Sequence, residues 1–376
     1  MRRIHQTAKR IASLACAAAL LVSMAGCSTT TASSGGTATG NAASAPAGAP
    51  EGTPPDGGNG QPPEKPDGDA PGAPGGNGGF GGSGTVTQGT SANTIDTDST
   101  VYSETYTSTG SDENALRVDG AEVTLSGVTV SKSAGSSSNT EDGDFYGQNA
   151  ALLATNGATL NLENATVTSS AQNGNGVFSY GEGTTVNISN TTITTTADNS
   201  GGIQTTGGGT TNAEDLTVDT SGNSSAAIRS DRGGGTVRVN GGSYTTHGQN
   251  SPAVYSTADI AVQNAALTAT GSEALVIEGD NSIALTDCDV TGSMSETGTS
   301  ADENVHNVMI YQSMSGDAEE GTSTFTMTGG SLTGKAGDLF YITNTRAVLT
   351  LSGVTLANED ASGHLLTVAG NSASHG

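Results

Sequence analysis

The sequence predicts an all-β fold, a single-stranded parallel β-helix of about ten coils preceded by a disordered tether. Three observations predict it. Aliphatic residues recur at near-constant intervals, a residue tolerant of left-handed backbone follows once per repeat, and the composition suits short strands and turns rather than helices, with 56 Gly, no Trp and 3% aromatic residues.

The first 26 residues stand apart from the fold. Arg2, Arg3, Lys9 and Arg10 form a basic start, residues 11–22 an apolar stretch too short to span a bilayer, and Met24-Ala25-Gly26-Cys27 a small-residue cleavage site. This pattern resembles a bacterial lipobox, which implies export and a lipid anchor on Cys27 at the cell membrane or cell surface. Cleavage would move the net charge from −25 to −29, because four basic residues leave and no acidic ones do. Nucleic acid is excluded as a partner on that charge. Residues 27–84 read as the lipidated N-terminus and a tether rich in Gly, Pro, Ser and Ala, with nine of the ten Pro residues. As a flexible coil the tether would span on the order of 40 Å.

Residues 85–376 form the β-helix domain. Its aliphatic column is Leu116, Leu152, Val177, Ile203, Ile228, Val254, Leu275, Val308, Leu339 and Leu365, with central intervals of 25, 26, 25 and 26 residues and then 21. Each interval is one coil. After nine of these anchors comes an apolar-x-apolar-x-turn pattern, as in VTLSG, LNLEN and VNISN, whose turn residues are Gly127, Asn164, Asn190, Asp215, Gly241, Asn264, Asp287, Gly329 and Gly353. All are Gly, Asn or Asp, so a left-handed bend is demanded once per coil. Period-2 alternation on both sides of the bend means strands, and strands repeated at this spacing stack into a solenoid around one narrow core.

The bend and the repeat resemble the pectate-lyase-like parallel β-helix superfamily, and within it bacterial surface proteins of uncharacterised or adhesin-like type. The resemblance implies a right-handed helix. The closing HLLTVAGNSASHG begins a further coil and ends within it, which predicts either a truncated C-terminus or a partner covering that edge. Cys288 follows a bend and is expected to be a small buried core residue.

With each anchor numbered zero, positions 0 and +2 are expected to face inward and +1 and +3 outward. The outward positions gather Phe178, Tyr180, Arg229, Asp231, Tyr255, Glu278, Tyr311 and Phe340 on one face. Aromatic rings interleaved with carboxylates and guanidinium suit a glycan, since the ring covers the apolar face of a sugar and the charged groups take its hydroxyls. This face predicts adhesion or carbohydrate binding to a glycan or other cell-surface ligand. The insertion NTEDGDFYGQN adds Phe145 and Tyr146 and is placed to fold over the face; the alternative is that the aromatics pack beneath such insertions.

A second expectation is a polysaccharide hydrolase or lyase using Asp231, Glu278 and Arg229, the two carboxylates lying about 10 Å apart along the stack. Against it, the Asn-Thr-Asp, Asp-Asp, Gly-His-Gly and Arg-x-Lys motifs of the superfamily's polygalacturonase-like enzymes are missing. So is the lyases' calcium-binding Asp cluster with its catalytic Arg. A third is a structural or ice-ordering surface formed by Thr rows such as Thr166/Thr168 and Thr192/Thr194, a pattern that strand propensity alone also explains. No cofactor is expected; calcium is the one ion the acidic loops suggest, around Asp317, Glu319 and Glu320 and at residues 141–144 and 279–282, though no spacing matches a known calcium loop.

Overall fold

The computed structural model describes residues 85–295, 305–313 and 318–369. The leader, Cys27, the tether, Asp317 and residues from 370 onward lie outside the described residues. The described chain is a right-handed parallel β-solenoid of about ten coils. Each coil contributes a strand to three parallel sheets of 11, 10 and 10 strands, in which every strand pairs with its equivalent one coil away. The first sheet carries the anchors, the second runs into the bend, and the third leads back toward the next anchor.

The bend works as the residue types demand. All nine predicted positions are left-handed, with φ from 47° at Asn190 to 74° at Gly241, and Ser103 makes the same bend one coil earlier at φ 55°. Alternation then points one set of side chains into a continuous core. Val123 and Leu125, Leu160 and Leu162, and Val186 and Ile188 come from the second sheet, with Val130, Val167 and Ile193 from the third. Cys288 is fully buried in that core, its thiol directed at the carbonyls of Val262 and Thr286.

The inward +2 column of the first sheet is small and polar over its middle coils, Ser179, Thr205, Ser230 and Ser256, with hydroxyls satisfied internally. Ser179 donates to the Thr210 carbonyl at 3.1 Å, Thr205 bonds Thr211 at 2.6 Å, and Ser256 donates to the carbonyls of Ala258 and Ser282. Burying these hydroxyls unpaired would oppose folding; paired, they fit a narrow core. A further hydroxyl ladder of Ser200, Ser225, Ser251 and Ser272 accepts a backbone N–H from the preceding coil at each step. The outward Thr rows of the third sheet are in register, Thr166 with Thr192 and Thr168 with Thr194, and are broken by Asp219, Ala266 and Asp289.

The predicted register fails at one place. Val308 pairs with Phe340, not Leu339, and Phe340 pairs with Leu366, not Leu365. Phe340 therefore points inward, 5.9 Å from Phe325 between ring centroids, and Tyr341 takes the outward position. A one-residue slip exchanges faces. It escapes detection here because strand Asp338–Thr343 is buried on both sides and its run Leu339-Phe340-Tyr341-Ile342 has no alternation.

Candidate functional site

The outward face of the first sheet is covered at its N-terminal half by the insertion that holds the helix α1 (Thr140–Tyr146). Asn139 caps it, its side chain accepting the Glu141 N–H, and Gly147 ends it in a left-handed conformation at φ 77°. Gly147 is required by proximity as well. A Cβ there would sit 2.8 Å from Leu153 and 2.9 Å from the Phe178 ring.

The outward polar residues beneath hold the helix by its late carbonyls. Gln204 donates to the Asp144 carbonyl and Thr206 to the Phe145 carbonyl, each at 2.6 Å. Phe178 is fully buried in a satellite cluster with Ala150 and Leu153, so the expectation of an exposed ring there is corrected: the insertion seals it. Tyr180 stays half-buried at the rim, edge-on to Tyr146 at 5.6 Å.

Next along the stack lies a charged centre. Arg229 pairs with Asp231 at 2.5 Å and, across the face, with Asp144 of α1 at 3.5 Å; its guanidinium stands 5.8 Å from the Tyr255 ring. Asp231 also accepts the Arg232 N–H, while the Arg232 side chain lies over the Phe145 ring at 4.0 Å and reaches Glu141 at 3.9 Å. Burial pushes Asp231 up to about 6; Arg229 opposes that shift and Asp144 reinforces it. Asp144 is raised by burial too, against the pull of Arg229 and Asn173. Burial by itself lowers Arg229, but Asp144, Asp231 and Tyr255 outweigh it and hold the guanidinium above its ordinary value.

Two coils on from Asp231 in the same column, Glu278 is 1% exposed and held by three hydroxyl donors. Tyr255 and Tyr311 donate to one carboxylate oxygen, Tyr311 at 3.0 Å, and Ser313 donates to the other. The two phenols lie 3.3 Å apart, and burial and Glu278 raise both well above their usual range; Tyr311 adds to the shift of Tyr255, while the hydrogen bond with Tyr255 works against that of Tyr311. At the column position between the two carboxylates, one residue past strand Val254–Ser256, stands Thr257. It is 4% exposed, and its hydroxyl has no hydrogen-bond partner among the described residues. The Oε1 of Gln204, whose Cα pairs with that of Arg229, is likewise buried without a partner.

Of the eight predicted residues, the structure brings together Arg229, Asp231, Tyr255, Glu278 and Tyr311, leaves Tyr180 at the rim, and withdraws Phe178 and Phe340. Sequence reasoning missed Asp144, Thr257, Gln204 and Ser313 as members. Asp144 was visible only as part of a loop, and Thr257 only as one more strand Thr. Among the described residues, no group of three or more His, Cys, Asp or Glu side chains is arranged to hold a metal ion. Chemically, the site offers an unsatisfied hydroxyl on Thr257 and an unsatisfied carbonyl oxygen on Gln204 beside the Arg229 guanidinium, in a partly water-excluded setting, while the two phenols are already engaged by Glu278. No helix among the described residues is long and apolar enough to cross a membrane. Comparison with known protein families, curated proteins and solved structures finds no match.

Proposed function

We propose that the protein is a carbohydrate-binding module serving adhesion, with its ligand on the outward face of the first sheet between α1 and Tyr311. The observation that carries this is the buried Thr257 hydroxyl, without a partner among the described residues, at the column position between Asp231 and Glu278. A buried hydroxyl without a partner is costly, and a sugar hydroxyl is a partner of the right size and polarity. The half-buried Tyr180, Tyr255 and Tyr311 supply amphipathic surface around it.

The test is a glycan-array screen of the full chain, followed by titration of each hit with Thr257→Val. The substitution keeps the shape and removes the orphaned group. Thermal stability is expected to hold or rise while affinity falls about tenfold, the worth of one hydrogen bond. Unchanged affinity for every hit would sink the assignment.

A second reading, polysaccharide cleavage, draws on Asp231. A carboxyl pushed up to about 6 is poised to carry a proton near neutral pH, with Glu278 two coils away. Reducing-sugar and unsaturated-product assays on the same hits decide it: product formation favours cleavage, and binding without product leaves adhesion.

A further inference from the structure

The second sheet carries a groove that the first-sheet site does not use. It has a volume of about 590 Å³, in the range of small-molecule sites, and crosses six strands of the stack. At about 4.8 Å per strand it runs roughly 24 Å along the solenoid axis. Its central column pairs Asn161, Asn187, Asn212, Arg238, Ala261 and Ala284 in register.

The asparagines form a directed ladder. Asn212 donates its side-chain N–H to Asn187, and Asn187 to Asn161, both at 2.9 Å. Each carboxamide is thereby fixed, with a second N–H and a second lone pair left to face solvent. In the neighbouring column Asn240 is pinned in the same way by Asn264 at 2.9 Å. Beyond Asn212 the ladder gives way to Arg238, exposed and without an ion pair among the described residues, and then to the methyl groups of Ala261 and Ala284, where the floor drops.

We infer that this groove binds a linear, neutral, β-linked glycan chain lying along the solenoid axis. Preorganised carboxamides on three successive strands present the same donor and acceptor once per coil, which suits a polymer of identical polar units. An extended peptide repeats every ~6.8 Å for each pair of residues, out of step with a ~4.8 Å ladder. An anionic polymer is disfavoured by Glu163 and Glu214 on the wall and by the chain's net charge of −25. The alanine floor accepts the apolar face of a sugar ring, and Arg238 and the two glutamates reach its hydroxyls.

The test titrates the full chain with hexamers of β-1,4-linked glucose and of β-1,4-linked N-acetylglucosamine by calorimetry, alongside Asn212→Ala, Ala261→Arg and Thr257→Val. All three groove and control substitutions are checked for unaltered thermal unfolding. The expected result is binding of a hexamer that Asn212→Ala weakens about tenfold and Ala261→Arg abolishes by filling the floor. Absence of binding by both hexamers at millimolar concentration overturns the inference. So does binding lost in Thr257→Val but kept in Ala261→Arg, which would place the ligand on the first sheet. A concentration-dependent dimer that Ala261→Arg dissociates would also overturn it, because a second copy would then be the occupant.

Discussion

Lys132 occupies an inward position of the third sheet, in the column that continues through Ser169, Thr195 and Thr220, and it is fully buried. Its ammonium donates to the Ser108 hydroxyl at 3.2 Å and to the Gly110 carbonyl, while Ser108 in turn donates to Glu113 at 2.6 Å. Burial lowers the group from 10.5 to about 8, against the pull of Glu113 and Asp112. The sign of the pH effect follows directly. Between about pH 8 and 10.5 the unfolded chain binds a proton at this residue that the native chain has released, so native stability rises with pH across that window. Denaturation midpoints at pH 7.5, 9 and 10 should increase more for the native sequence than for Lys132→Met, which cannot titrate. Parallel curves for the two proteins would show that the buried amine is not the titrating group. The same residue-scale logic separates Glu278 from Thr257: three hydroxyl donors hold the first, while the second has no partner among the described residues and has more to offer a ligand.

At the scale of the element, the once-per-coil bend is where sequence and geometry meet most closely. Gly241 has φ 74°, and a Cβ on it would lie 2.1 Å from the Asp215 carboxylate of the coil before; Gly127 has φ 66° with nothing nearer than Ser103 at 3.6 Å. Gly127→Ala should therefore cost only the left-handed penalty, about 1 kcal/mol, and Gly241→Ala at least about 2 kcal/mol, because a carboxylate must also move. Asp215→Gly in the background of Gly241→Ala removes the carboxylate and keeps the left-handed bend at φ 50°, so it should return the cost to that of Gly127→Ala; equal costs for the two single substitutions would refute the steric part. The bends were legible because Gly, Asn and Asp mark left-handed backbone, and the anchors because alternation marks a strand with one buried face. Ser103 was not, since serine carries no such mark. Phe340 was lost where four apolar residues in a row, buried on both faces, erase the alternation that sets register. Phe178 was placed on the correct side of its strand but read as a candidate platform. Its burial comes from the insertion that carries α1, through Gly147 and Ala150; the seven-residue helix has a glycine in its middle and no apolar periodicity, and the docking of the insertion is a contact across coils that spacing along the chain does not encode.

At the scale of the whole molecule, the candidate site on the first sheet depends on coil number in a way that the fold does not. The insertion carrying α1 leaves the chain just before Leu152, yet it reaches forward over Phe178, Gln204 and Arg229, each one coil further on. In a solenoid each coil contacts only its neighbours, so removing one in register should cost one stacking interface and little more. Deleting residues 203–227 joins Gly202 to Ile228, which occupy adjacent positions in the register that pairs Ile203 with Ile228. The shortened chain should keep its β-sheet circular dichroism and unfold at a somewhat lower temperature. Under α1, however, Arg229 would now stand where Gln204 stood, and the Asp231 carboxylate would meet the Phe145 carbonyl that Thr206 satisfies in the intact protein. Two acceptors would face each other there, and the Arg229 bridge to Asp144 would move by about 4.8 Å, one strand spacing. Binding at the first-sheet face should be lost while the fold persists. Retained binding would mean that α1 is not part of the site, and a collapsed sheet signal would mean that cooperativity in this stack extends beyond neighbouring coils.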